Sequence, residues 1–210
     1  CLAANDTKLD ISKRRFAVTV NMTKGQTVSL TKSDGSQLTR VRMGLGWDPI
    51  ETKGMFGRKK AKDVDLDASC LVFDARGNLI DQVWFNQLRS KCGSIQHTGD
   101  NRTGAGDGDD ESIIVNLNQL PREAGTLVFT VNSFMGQTFN DVTNATCRLV
   151  DETTGQEIAR YDLSAQGTHT AQVMAKVSRS IGGWKMTAIG QLASGRTFGD
   201  LLPAIAPYVP

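Results

Sequence analysis

The residues of this 210-residue chain best suited to chemistry are carboxylates, and they are concentrated in one stretch. Gly99-Asp-Asn-Arg-Thr-Gly-Ala-Gly-Asp-Gly-Asp-Asp-Glu111 holds Asp100, Asp107, Asp109, Asp110 and Glu111 against one cation, Arg102. Like charges this close raise the energy of a folded loop unless a counter-ion sits among them. A hard divalent cation suits the set, since calcium takes about six to eight oxygen ligands from carboxylates, amides and carbonyls. The interleaved glycines permit the positive-φ backbone that turns such oxygens inward. A solvated acidic turn is the alternative, as for most charge runs.

A second acidic stretch, Asp63-Val-Asp-Leu-Asp67, runs into the apolar Cys70-Leu-Val-Phe73. In a strand, the period of two puts Asp63, Asp65 and Asp67 on one face and Val64 and Leu66 on the other. Carboxylates on one side of a strand start are well placed to complete a site begun by a neighbouring loop. Neither stretch is an EF-hand. Counting from Asp63, Ala68 stands where the loop glycine would be needed, and Asp74 where a bidentate Glu would be needed. Counting from Asp100, Glu111 takes the final place, but Arg102 and Gly104 fall on ligand positions. The expected site is therefore made of two halves.

The elements that must hold these halves read as strands. Alternating or apolar runs separated by turn residues occur at residues 27–30, 37–43, 63–74, 79–85, 112–117, 126–131, 145–150, 157–163, 170–177 and 184–190. Nine or ten strands at this spacing predict an all-β fold, an antiparallel two-sheet β-sandwich with a short C-terminal helical segment interrupted by prolines. Gly44, Gly46 and Pro49 are expected to end the second of these strands, with Trp47 at the core edge. Residues 50–62 read as a basic loop. Residues 1–24 read as a flexible basic arm, and residues 25–210 as one calcium-binding domain.

Other chemistries lack their motifs. There is no phosphate-binding P-loop sequence and no G-x-S-x-G nucleophile elbow. The formal net charge of +2 gives no reason to expect specific nucleic-acid binding. No apolar run is long enough to span a bilayer. Cys1, Cys70, Cys92 and Cys147 form no C-x-x-C pair; Cys70 and Cys147 lie in apolar runs and read as core residues of a reducing, cytoplasmic compartment. A Cys70–Cys92 disulfide is the alternative pairing. His97, two residues before the acidic loop, reads as a packing or hydrogen-bonding histidine.

Four segments in order, Gly44-Leu-Gly-Trp-Asp48, Asp65-Leu-Asp-Ala-Ser69, His97-Thr-Gly-Asp-Asn101 and Gly106-Asp-Gly-Asp-Asp-Glu111, resemble the TerD-like tellurite-resistance and stress-response family. Asp67-Ala-Ser-Cys70, Cys92 and Phe129-Thr-Val-Asn-Ser-Phe-x-Gly-Gln-x-Phe-Asn-Asp141 are most similar to its TerZ branch. The resemblance covers roughly residues 25–195. It implies a non-enzymatic β-sandwich binding one or two calcium ions without EF-hands. The matched positions are Asp65, Asp67, Asp100, Asn101, Asp107, Asp109, Asp110 and Glu111. Ala105 stands where the family usually has Glu, and Arg102 where it usually has an apolar residue.

The leading expectation is a cytoplasmic sensor or scaffold for other proteins of the same resistance system. Two alternatives accompany it. Clustered carboxylates also serve metal-dependent phosphoester hydrolases. Met55 and Phe56 among the lysines of 53–62, with the basic arm, suit a structural module peripheral to the inner face of the membrane.

Overall fold

The computed structural model describes residues 19–32, 34–49, 51–53, 59–61, 64–101, 108–163 and 167–210. The period-two patterning resolves into two six-stranded sheets packed face to face. The first contains, in spatial order, β1 (Val20–Asn21), β12 (Gln156–Asp162), β11 (Val142–Asp151), β3 (Arg40–Pro49), β9 (Glu111–Asn116) and β8 (Ile95–His97). The second contains β2 (Thr27–Ser29), β14 (Gly183–Ala193), β13 (Ala171–Ser180), β10 (Thr126–Ser133), β6 (Leu66–Phe73) and β7 (Leu79–Val83). A separate ribbon pairs β4 (Glu51–Lys53) with β5 (Lys59–Ala61). Pairing is antiparallel except between β1 and β12.

The core lies between the sheets. Leu66, Ala68, Cys70 and Val72 of β6 and Leu127, Phe129 and Val131 of β10 share one apolar cluster with Met43, Leu45, Ile113, Val115, Cys147 and Leu149 of the opposite sheet. The outer face of the second sheet carries a smaller apolar cluster: Leu71, Phe73, Val128, Val173 and Ile189. Residues Phe198–Tyr208 cover it with Leu201 and Ile205. That segment is a 3₁₀ turn, the one-turn helix α1 (Leu202–Ile205) and a second 3₁₀ turn, with prolines near the start of each of the last two. The expected short C-terminal helical segment is therefore present.

Two expectations are corrected. β3 runs through Gly44 and Gly46 to Pro49 instead of ending at them. A Cβ on Gly44 would collide with the Asp109 carboxylate, and one on Gly46 would lie 2.8 Å from the Gly108 carbonyl oxygen. These glycines admit the acidic loop against a strand that continues. The stretch read as a basic loop contains β4 and β5, and β8 lies between two of the expected strands. Strands of three residues are too short for alternation to register. Residues 54–58, with Met55 and Phe56, lie outside the described residues, as do residues 1–18.

Cys70, Cys92 and Cys147 are free thiols, so no Cys70–Cys92 disulfide forms. Burial pushes the Cys70 thiol far up and the Cys147 thiol up to about 12, which makes both inert core residues.

Candidate metal centre

Leu66 and Ala68 point into the inter-sheet core, so Asp67 between them faces the other way, and Asp65 shares its side by alternation. Asp100 joins them from the loop: one carboxylate oxygen from each of Asp65, Asp67 and Asp100 lies within 4.8 Å of the others. Asp67 is only 3% exposed, and its Oδ2 has no hydrogen-bond partner. The Phe134 N–H donates to the same carboxylate. Burial, then the charges of Glu111, Asp65 and Asp100, push the Asp67 carboxyl up to about 8. A buried carboxylate among others is costly as an anion unless a cation or proton joins it.

The donors fit a hard cation. All are carboxylate oxygens, one is buried and unpartnered, and no sulfur or nitrogen ligand accompanies them among the described residues. They open on a cleft of about 180 Å³ whose remaining lining is Phe85, Phe134 and Met135. Phe134 and Met135 are 42% and 61% exposed. Trp84, Phe85 and Phe134 form an edge-on row with successive ring centroids 4.7 and 5.7 Å apart.

The remaining loop residues have other tasks. Glu111 lies at the end of β9 on the face that carries Ile113 and Val115 inward. Its Oε2 accepts the Ala68 N–H at 2.7 Å, and its Oε1 accepts the Asn101 N–H at 3.2 Å. β7 pairs with β6 only from Cys70 onward, so Glu111 serves a stretch of β6 that lacks a neighbouring strand on that edge. The His97 Nδ1 accepts the Gly99 N–H at 3.1 Å, and its Nε2 lies 3.3 Å from the Glu111 Oε2 without hydrogen-bond geometry. This buried histidine packs and orients, as its position suggested. Asp110 accepts from the Trp47 N–H and from the Asn101 side-chain amide, both at 2.9 Å. Burial raises its carboxyl above the ordinary range, against the Trp47 bond.

Asp109 is drawn away from the cluster. It lies over Gly44 on the outer face of the first sheet, between the guanidinium groups of Arg42 and Arg148. Arg42 also pairs with Glu152 at 2.9 Å, and Arg148 with Glu157 at 3.3 Å. Arg160 joins Glu157 at 2.8 Å and holds that carboxyl below its ordinary range. Of the sequence-derived set, then, Asp65, Asp67 and Asp100 converge. Asn101, Asp110 and Glu111 knit the loop to β3 and β6, and Asp109 belongs to an arginine network. Asp107 lies outside the described residues.

Known proteins share this sequence pattern and this fold. The TerD domain matches residues 18–202. The chain belongs to the TerD family. It is 50% identical over 184 residues to the tellurium resistance protein TerZ of Serratia marcescens, a match covering 87% of this chain and 94% of TerZ. Identity to the tellurium resistance protein TerD of the same organism is 39% over 186 residues, covering 85% and 93% of the two chains. The crystal structure of SCO6318 from Streptomyces coelicolor A3(2), described as a homologue of TerD, superposes with a TM-score of 0.61 at 24% identity. That match covers 75% of this chain and 92% of the other and bears on the fold alone.

Sequence reading missed two parts of this candidate site. The counter-ions Arg42 and Arg148 are separated from Asp109 by 67 and 39 positions, and only strand register brings them to it. The apolar wall of Phe85, Phe134 and Met135 carried one usable signal, an aromatic and a methionine at the end of a strand, where polar turn residues are usual.

Proposed function

We propose that this protein binds calcium at Asp65, Asp67 and Asp100 and acts, without catalysis, as a sensor or scaffold in a bacterial tellurium-resistance and chemical-stress system. The carrying observation is the buried, unpartnered Asp67 Oδ2 within a three-carboxylate cluster. The names of its relatives, tellurium resistance proteins TerZ and TerD, support the setting. One calcium ion on the three carboxylates, completed by water, satisfies the usual ligand demand.

The geometry also supports a read-out. Phe134 donates its N–H to Asp67, so an ion on that carboxylate bears directly on the turn that presents Phe134 and Met135. Ordering this turn offers an apolar surface, which suits recognition of partner proteins of the same system. A non-catalytic role agrees with His97, whose ring is enclosed between Gly99 and Glu111 and cannot reach a substrate as a base. No helix among the described residues is long and apolar enough to cross a membrane. A cytoplasmic location is part of the proposal.

Calorimetric titration of the chelator-treated protein with calcium tests this reading. Saturable binding that disappears in Asp65→Asn/Asp67→Asn is the expected result. Unchanged binding in that variant would remove the assignment. Turnover of generic phosphoesters with calcium, magnesium or manganese would instead favour the hydrolase.

A further inference from the structure

The outer face of the second sheet ends very differently at its two extremities. At one lie Asp65 and Asp67. At the other, beyond the apolar patch covered by α1, is a groove of about 720 Å³. Thr126, Ser178 and Lys185 lie side by side across β10, β13 and β14, with Lys176 two residues along the same face. One wall is Pro207–Pro210, and the other is formed by Ala75, Arg76, Arg122 and Glu123 of two turns.

Five cations line this groove, Arg76, Arg122, Lys176, Arg179 and Lys185, against two carboxylates, Asp74 and Glu123. None of the five is in an ion pair among the described residues, whereas Arg42, Arg148 and Arg160 on the other sheet are all paired. Asp74 is engaged elsewhere: its oxygens accept the Arg76 and Asn78 N–H groups at 2.8 Å and the Asn78 amide at 2.9 Å. Two of the cations are anchored in place. The Lys176 Nζ donates to the Tyr208 carbonyl at 2.9 Å. Arg179 donates to the carbonyls of Ala124 and Pro121 at 2.7 and 3.1 Å and lies 4.4 Å from the centre of the Trp184 ring. Burial, and then the nearness of Lys185, lower the Lys176 pKa.

We infer that this groove is a binding site for a multiply charged phosphate ligand of small-molecule size, a chain of phosphates either free or carried on a nucleoside. Its volume falls within the usual range for such sites, and five cations against two acidic side chains leave an excess of positive charge suited to a polyanion. Arg76 and Arg122 are exposed, and neither side chain donates a hydrogen bond among the described residues; both guanidinium forks can therefore close on phosphate oxygens in the bidentate manner. The site is independent of the calcium reading, because its residues are distinct from the carboxylate cluster.

Titration of the full chain with sodium triphosphate, ATP and inorganic phosphate tests the inference, at about 0.1 M salt to screen diffuse attraction. Chelator is kept present so that no metal bridges the ligand to the acidic cluster. Triphosphate and ATP are expected to bind saturably and in competition, and inorganic phosphate far more weakly. Arg76→Gln/Arg122→Gln is expected to weaken triphosphate binding roughly tenfold or more, with an unchanged melting temperature and an unchanged response to calcium. Tighter binding of ATP than triphosphate would identify the nucleotide as the source, and equal binding the phosphate chain alone. Absence of saturation at about 1 mM triphosphate, or equal affinity in the double variant, overturns the proposal. So does capture of the protein by nucleic acid in preference to both small ligands.

Discussion

Asp109 and Asp67 are both nearly buried carboxylates of one acidic constellation, and the fold treats them in opposite ways. Asp109 is held by Arg42 and Arg148, whose own second partners are Glu152 and Glu157. Its charge is balanced within the chain. Asp67 has Asp65, Asp100 and Glu111 for neighbours, and one of its oxygens has no partner. Its charge waits for something from solution. Charge density in a sequence therefore does not identify a metal site by itself; what matters is which carboxylates the fold leaves uncompensated.

The largest effect is expected from breaking the balanced side. Asp109→Ala would take one of two carboxylate partners from each of two guanidinium groups that are about three-quarters buried, and removal of one partner from such a network costs up to roughly 3 kcal/mol. Urea denaturation should show that loss, and the stabilisation by calcium should survive it. A loss of calcium affinity instead would return Asp109 to the ligand set.

The unbalanced side should respond in reverse. Wild-type protein is expected to gain about 2.7 kcal/mol with calcium at about a hundred times its dissociation constant. Asp67→Asn should lose that gain. In chelator at pH 7 it should be about as stable as the wild type, since the carboxyl there is already held largely neutral and Asn is a neutral group of the same shape. Thermal melts with and without calcium measure both. A variant destabilised in chelator would mean that Asp67 already has a compensating partner.

Why the sequence conveyed one half of this contrast and not the other follows from distance along the chain. The alternation of Asp65 and Asp67 with Val64 and Leu66 is local, so the one-sided display of carboxylates was legible, as were the sandwich, its longer strands and the buried Cys70 and Cys147. The pairing of Asp109 with Arg42 and Arg148 depends on β9, β3 and β11 lying side by side, a register no local pattern encodes. Gly44 and Gly46 were read as strand breakers, because a missing side chain resembles a turn signal when the loop that fills its place is far away in sequence. β4, β5 and β8 left no trace for a simpler reason, three residues being less than two periods of alternation.

Gly44 offers a sharper test of the Asp109 network. A methyl group there meets the Asp109 carboxylate, and overpacking of this kind costs about 2 kcal/mol. In an Asp109→Ala background the obstruction is gone, so Gly44→Ala should cost much less. A double-mutant cycle by urea denaturation gives the coupling directly. Additive effects would show that the strand accommodates the methyl by some other movement.

The last test concerns a single proton. The Asp67 carboxyl is pushed up to about 8 in the folded protein, against roughly 3.9 in an unfolded chain. Below about pH 4 it is protonated in both states and leaves stability unaffected. Between that pH and about 8 the folded state holds more protons than the unfolded one, so stability in chelator declines across this window as pH rises. Calcium and the proton compete for the same oxygens, so calcium binding at pH 7 should expel most of one proton, and its affinity should climb until about pH 8. Calorimetry at pH 7 in two buffers of different ionisation enthalpy reads the expelled proton as a difference in heat. In Asp67→Asn any remaining calcium binding should show no such difference. Equal heats in the wild type would mean that Asp67 is already ionised before calcium arrives, and the contrast with Asp109 would then rest on geometry alone.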